Sequence, residues 1–457
     1  MAGLLAIFLA VVLGCALVLR FASLTSLQPR WAAALVIFGS GTALGVGLTS
    51  ILFLVALLLI PGLPSLAMWV EIGVLAWVSY DLFRRPNSAT PTEPPRRFPW
   101  NLMLMAALIL ALTLVITAMS GAWENNPQGN WDAWAIWNLR ARFLAAGGSL
   151  AHRAWSPLLG STHPEYPLLT SAFVARAWTY GHTLSDAVPI AVSFLFFLAL
   201  ISLATGGMAA WRSGPLGLLL GLSLAATPAL AHVVPDQYAD IPLACYFTGA
   251  LIMAFLERPV LAGLLAGLAA WTKDEGLLFV AVFLAAAAIF RRQQLLRLVA
   301  GAALGGAVVV FFKTVLARGN ASLLGASLPL LGQHLSDPGR YRQVLVAMGD
   351  QFTNMAVGWY HPILPALSLA IALRFDIQRR RDVLFCSTVA LFLLVGYFAV
   401  YIITPNDLTW QLQTSLRRLY VQFWPIFLLA IWSALRAPES MAIVQVQTHK
   451  ARKKVKA

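Results

Sequence analysis

The sequence predicts an all-α polytopic membrane protein: a bundle of about thirteen transmembrane helices with a large first outer loop carrying interfacial helices. Three observations predict it. The residues are 60% hydrophobic and 11% charged, where soluble domains carry roughly a quarter charged. Many apolar runs reach or approach the ~20 residues that cross a bilayer. Lys and Arg gather in short clusters between those runs rather than along the whole chain. That placement decides how the net charge of +14 is read. In a soluble chain it would point to nucleic acid. Here the basic clusters are topology signals and headgroup contacts, so the bilayer is the partner and nucleic acid is not. Cys15, Cys245 and Cys386 all fall inside apolar runs and form no CxxC pair, which supports neither a disulfide framework nor a zinc site.

The first twenty residues lack the basic n-region of a cleaved signal peptide, and Arg20 follows the apolar run. A retained first helix with its N-terminus outside is expected. Predicted spans are 2–20, 31–60, 66–83, 100–120, 186–206, 215–233 and 237–256. The rest are 259–272, 276–291, 296–316, 359–374, 383–403 and 417–435. The 31–60 run is long and glycine-rich, a composition that suits a tilted or broken helix and lets neighbours approach closely. Sidedness follows from the basic loops. Arg84-Arg85 to Arg96-Arg97, Arg291-Arg292 to Arg297, Arg374 to Arg381 and the 436–457 tail are expected in the cytoplasm. Counting from both ends agrees only if 166–182, with Arg176, Trp178, Tyr180 and His182, lies at the interface instead of crossing.

Four polar clusters then map to the outer face. The first is Asp132 among Trp131, Trp134, Trp137, Arg140 and Arg142, predicted as a flat-lying helix with its indoles in the aromatic belt. Asp132 is either its N-cap or a base facing a cavity. The second is His163, Glu165 and Tyr166 in STHPEYPLL, a stiff polar turn between prolines that contacts a substrate or simply bonds to itself. In PDQYADIPLACY, Asp236 and Asp240 are four apart, on one helical face if the helix starts early enough. The fourth is Lys273, Asp274 and Glu275, which interrupt about thirty apolar residues; charges at membrane depth are costly and suggest function, although a locally paired outer turn would look the same. Arg417 and Arg418 open the last predicted helix on the outer side, against the positive-inside tendency, and suit either phosphate or lipid headgroups.

Carboxylates, arginines and tryptophans on one membrane face fit transfer of a sugar from a polyprenyl-phosphate donor. A carboxylate takes the acceptor's hydroxyl proton, a cation stabilises the departing phosphate, and aromatic rings stack on the sugar. No GxGxxG context or soluble α/β domain for a nucleotide sugar is visible. On these residues the chain resembles the GT-C class of membrane glycosyltransferases, which includes protein O-mannosyltransferases and the lipid A aminoarabinose transferase. The resemblance runs from about Trp100 to the last helix, leaving 1–99 as an added three-helix region and 100–435 as the catalytic membrane domain with its outer loop at 121–185. NWDAWAIWNLRARFL looks like the acidic first loop of that class, implying Asp132 as the catalytic base with Glu124 as a substitute. PDQYAD looks like its second acidic motif, His163 to Leu168 resembles its HPxxPL turn, and AWTKDEG resembles its TKG-type motif. The first loop has one Asp between tryptophans where several members have paired acids.

The resemblance implies an inverting transferase at the plasma (inner) membrane, working on the outer side with a glycan, lipid or protein acceptor. No cofactor is required; a divalent metal could join through Asp132 with Asp236 or Asp240. A secondary transporter or flippase is the alternative, and predicts internal repeats and midplane charges. No repeat is evident in the sequence.

Overall fold

The computed structural model describes residues 1–85, 100–320, 323–355, 361, 363–376 and 379–439. Among these the regular elements are helices, and one isolated antiparallel bridge joins Phe375 to Leu435. The first are α1 (Ala2–Phe21), α2 (Arg30–Leu59), α3 (Leu66–Arg84) and α4 (Trp100–Asn125). Then come α5 (Asn138–Ala146), α6 (Leu169–Gly181), α7 (Ala187–Trp211) and α8 (Gly214–Ala225). Next are α9 (Asp240–Phe255), α10 (Pro259–Thr272), α11 (Asp274–Phe290) and α12 (Leu295–Phe311). The last are α13 (Pro338–Thr353), α14 (Leu364–Leu373), α15 (Arg380–Ile403) and α16 (Leu408–Ser433). Among the described residues, seven helical stretches are long and apolar enough to cross a membrane: α1, α2, α3, α4 from Asn101, α7, 292–316 around α12, and α15. Helices α8, α9 and α10 are apolar but shorter. Trp69, Val70 and Trp77 on α3, and Leu110 and Leu114 on α4, are exposed, as suits helices surrounded by lipid.

The glycine-rich α2 is one unbroken helix. A Cβ on Gly14 would lie 1.9 Å from the Gly41 carbonyl oxygen, and one on Gly45 2.0 Å from that of Ala10. The α1 and α2 backbones therefore touch, a contact that only the missing side chains permit.

Arginines tie many of the helix ends into one network. Arg20 and Arg85 share Asp81, and Arg258 donates to the backbone of Ala22 and Ser23. Arg291 joins Glu257 to Asp382, Arg379 also pairs with Asp382 and lies over Trp211, and Arg212 binds Asp376 and the Leu435 carbonyl. The basic stretches around Arg85, Arg291 and Arg379 therefore gather at one end of the bundle. Helices α9 and α11 run to this end from Asp240 and Asp274, which therefore lie at the opposite end.

Helix α6, expected to lie at an interface, is enclosed by neighbours. Most of its residues are buried, including Arg176. An arginine in an apolar run needs a partner, and Glu71 on α3 provides one. Its carboxylate takes the guanidinium of Arg176 and the hydroxyl of Tyr180 at 3.1 Å, while Arg176 Nη1 donates to the Ala6 carbonyl at 2.9 Å. Three other boundaries differ from expectation. The 215–233 run breaks after Ala225, because Thr227 before Pro228 is extended and a new short helix starts there. Helix α9 starts at Asp240, leaving Asp236 in the preceding turn. Helix α16 begins at Leu408, where the Asp407 carboxylate accepts from the Trp410 amide at 2.7 Å.

Candidate functional site

The segment after α4 is folded back onto the turn before α9. Gly129 has φ +75°, and a Cβ there would meet the Asp236 carbonyl oxygen at 2.7 Å and the Ala133 Cβ at 2.8 Å. The Asn130 amide donates to the same Asp236 carbonyl at 3.2 Å, and its side chain reaches the Asp236 carboxylate at 3.4 Å. Gln237, itself at φ +58°, donates to the Pro127 carbonyl at 2.8 Å and accepts from Asn138 at 3.2 Å. A left-handed non-glycine residue persists only where its surroundings hold it. This clasp fixes the strand of chain that carries Asp132.

Asp132 follows immediately. Its side chain makes no cap hydrogen bond, so the N-cap reading does not hold. Its carboxylate lies 2.6 Å from Nη2 of Arg418, whose Nε donates to Asp240 Oδ2 at 2.9 Å. Asp240 also receives Lys273 at 3.3 Å and the Gln422 amide. Lys273 in turn pairs with Glu275 at 2.7 Å. Opposite charges thus alternate from Asp132 through Arg418, Asp240 and Lys273 to Glu275, across four separate stretches of chain. Exposure is lowest in the middle of the series: Asp240 has none and Lys273 little, while 13% of the Asp132 side chain, 16% of Arg418 and 20% of Glu275 remain accessible. Those that can meet a ligand are Asp132 and Arg418 at one end and Glu275 at the other.

A second group adjoins this one. Asp274 pairs with Lys313 at 2.7 Å, and Lys313 donates to the Glu165 carbonyl at 3.1 Å. Glu165 holds His163 Nδ1 at 2.9 Å, and His163 occupies the left-handed region at φ +52°. The His163, Tyr166 and Trp137 rings stack in series, with centroids 4.5 and 5.9 Å apart. Lys273 Nζ stands 5.8 Å from the Tyr166 ring centre, which joins the two groups.

Some predicted residues point elsewhere. Arg140 is fully buried and donates to the carbonyls of Ala154 at 2.7 Å and Tyr166 at 2.6 Å. It gathers the 154–166 loop, and burial lowers its pKa to about 9. Arg417 is exposed, and Asp236 contacts Asn130 rather than Asp240. Burial raises the Asp236 carboxyl above the ordinary value. Trp131 and Trp134 are exposed and pack edge to face at 5.9 Å, whereas Trp137 is buried, so the indoles do not share one face. The reason is a π-helical turn at Ala133–Trp137, which breaks the 3.6-residue period. A second π turn, Phe312–Leu316, carries Lys313. Lys313 and Gln422 were missed in the sequence because each stands in an apolar run; a lone cation or amide in such a run is the signal that marks them.

Among the described residues, no three His, Cys, Asp or Glu side chains are grouped as metal ligands. Asp132 and Asp240 both face the Arg418 guanidinium. Comparison with protein-family models, curated proteins and solved structures gave no match.

Proposed function

We propose that this protein is a glycosyltransferase that moves a sugar from a polyprenyl-phosphate donor to an acceptor hydroxyl at the outer face of the plasma membrane. The observation that carries the reading is the accessible pair of Asp132 and Arg418, a carboxylate beside a cation. On this reading Asp132 removes the proton of the acceptor hydroxyl as its oxygen bonds to the anomeric carbon. The bond from that carbon to the phosphate oxygen breaks, and the phosphate leaves with the electron pair and inverted stereochemistry at carbon. Arg418, with Lys273 behind it, stabilises the charge that develops. Trp131 and Trp134 offer aromatic faces to the sugar. The acceptor is a glycan, lipid or protein carrying a free hydroxyl.

The GT-C resemblance implies a topology of thirteen passes. Thirteen passes result when α8, α9, α10, α11, α14 and α16 cross along with the seven longer stretches. The candidate site then lies outside and the arginine network in the cytoplasm. Charges collected at one end of the helices suit transfer better than transport, which needs them near the midplane.

Sugar transfer from a radiolabelled polyprenyl-phosphate sugar pool, in membranes containing wild type or Asp132→Asn, tests this. The expected result is a loss of about a hundredfold or more in a folded variant. Equal transfer in both would remove Asp132 as the base, and no transfer from any donor would sink the reading.

A further inference from the structure

Arg418 is held on its two sides in different ways. Its Nε edge is bound to Asp240, which is fully buried and also receives Lys273 and Gln422. The Tyr238 ring lies against the guanidinium at 4.4 Å and keeps its plane in place. The outer edge is covered but its hydrogen-bonding capacity is not used. Asp132 approaches Nη2 at 2.6 Å without the alignment of a hydrogen bond. No described residue bonds to Nη1, and the Asp132 carboxylate has no other ion-pair partner among the described residues. A guanidinium offers its Nη1–Nη2 fork to two oxygens at once, a geometry that phosphate fills better than one misaligned carboxylate.

We propose that Arg418 is an exchange site, at which an anionic phosphate ester takes the outer edge of the guanidinium in place of Asp132. The exchange turns a neutralised carboxylate into a free one only when phosphate is present. Its purpose rests on the glycosyl-transfer reading: the base is released when the donor arrives and stays quenched when the site is empty. Asp240 is then a positioning residue that keeps the cation still while its other partner changes.

Binding of decyl phosphate to the purified protein tests the exchange without any turnover. Removing the competing charge in Asp132→Asn is expected to tighten binding about five- to a hundredfold. Asp132→Glu, which keeps the charge, is expected not to tighten it, and Asp240→Asn and Arg418→Lys are expected to weaken it. Should Asp132→Asn fail to fold, Asp132→Ser carries the same expectation. Unchanged or weaker binding in a folded Asp132→Asn overturns the proposal, as does the absence of binding in every variant. Inorganic phosphate as competitor separates the sources. Competition equal to that of the alkyl ester identifies a free phosphate, and weaker competition identifies a lipid-borne one; both support the exchange. Tighter phosphate binding with undiminished sugar transfer in Asp132→Asn keeps the exchange and removes Asp132 as the base.

Discussion

Arg176 and Glu71 form a closed pair, whereas Arg418 stands between two carboxylates of unequal exposure. In the closed pair both side chains have zero accessibility, and Tyr180 and the Ala6 carbonyl take up remaining bonding capacity. Nothing can enter without breaking it, and it locks α1, α3 and α6 together. Around Arg418, exposure rises from Asp240 to Asp132, and the outer fork is incompletely used. Both arrangements place an arginine in an apolar bundle, fully buried in the first and partly exposed in the second. Only the second leaves part of the arginine side chain accessible, so burial of charge alone does not mark a site.

The largest expected effect tests the closed half of this contrast. Glu71→Ala leaves Arg176 buried and unpaired, which is expected to lower stability by about 3–5 kcal/mol. Thermal unfolding in detergent reads it, and Glu71→Leu combined with Arg176→Met is expected to recover most of the loss. An unchanged Tm in the single variant would make the pair dispensable. Next comes Gly129→Ala, which places a Cβ against the Asp236 carbonyl at a left-handed position; about 1–2 kcal/mol is expected from the conformation alone. Transfer should fall further than stability does, since the clasp aims Asp132. If stability falls and transfer stays whole, the aim of that loop is not critical.

Smaller effects sharpen the open half. Trp131→Ala with Trp134→Ala removes two exposed indoles, so unfolding should shift by no more than about 0.5 kcal/mol for each. The donor KM is expected to rise several-fold, and an unaltered KM would return both rings to the lipid. The smallest effect belongs to Asp236. Burial raises its folded pKa, so the fold favours the protonated form and loses that advantage as pH rises through the folded value. Asp236→Asn is therefore expected to raise Tm slightly at neutral pH, with the difference vanishing below about pH 4, where both states are protonated. An equal shift at every pH would point to packing instead of charge.

The helical class and the charged ends were legible because apolar runs and isolated ions are strong signals in a greasy chain. Asp132, Asp240, Lys273 and Arg418 were singled out as charges and come together from distant stretches. Arg140 and Trp137 were assigned by a helical wheel that assumes 3.6 residues per turn, and the π turn between Asp132 and Asn138 defeats it. Lys313 was absorbed into an apolar run, and the early start of α16 was missed because Asp407 was read as loop. The pairing of Arg176 with Glu71 joins residues 105 apart, and no local pattern encodes it.

The π turn at Ala133–Trp137 works as a phase shifter. Each residue advances an α-helix by about 100°, so one residue of slack lets Asp132 face Arg418 while Arg140 faces the 154–166 carbonyls. Deleting a single residue here would let the helix relax to its regular pitch at the expense of that slack. One of the two side chains would then swing away from its partners. Chain length across these five positions is thus under tighter constraint than the identity of most residues within them.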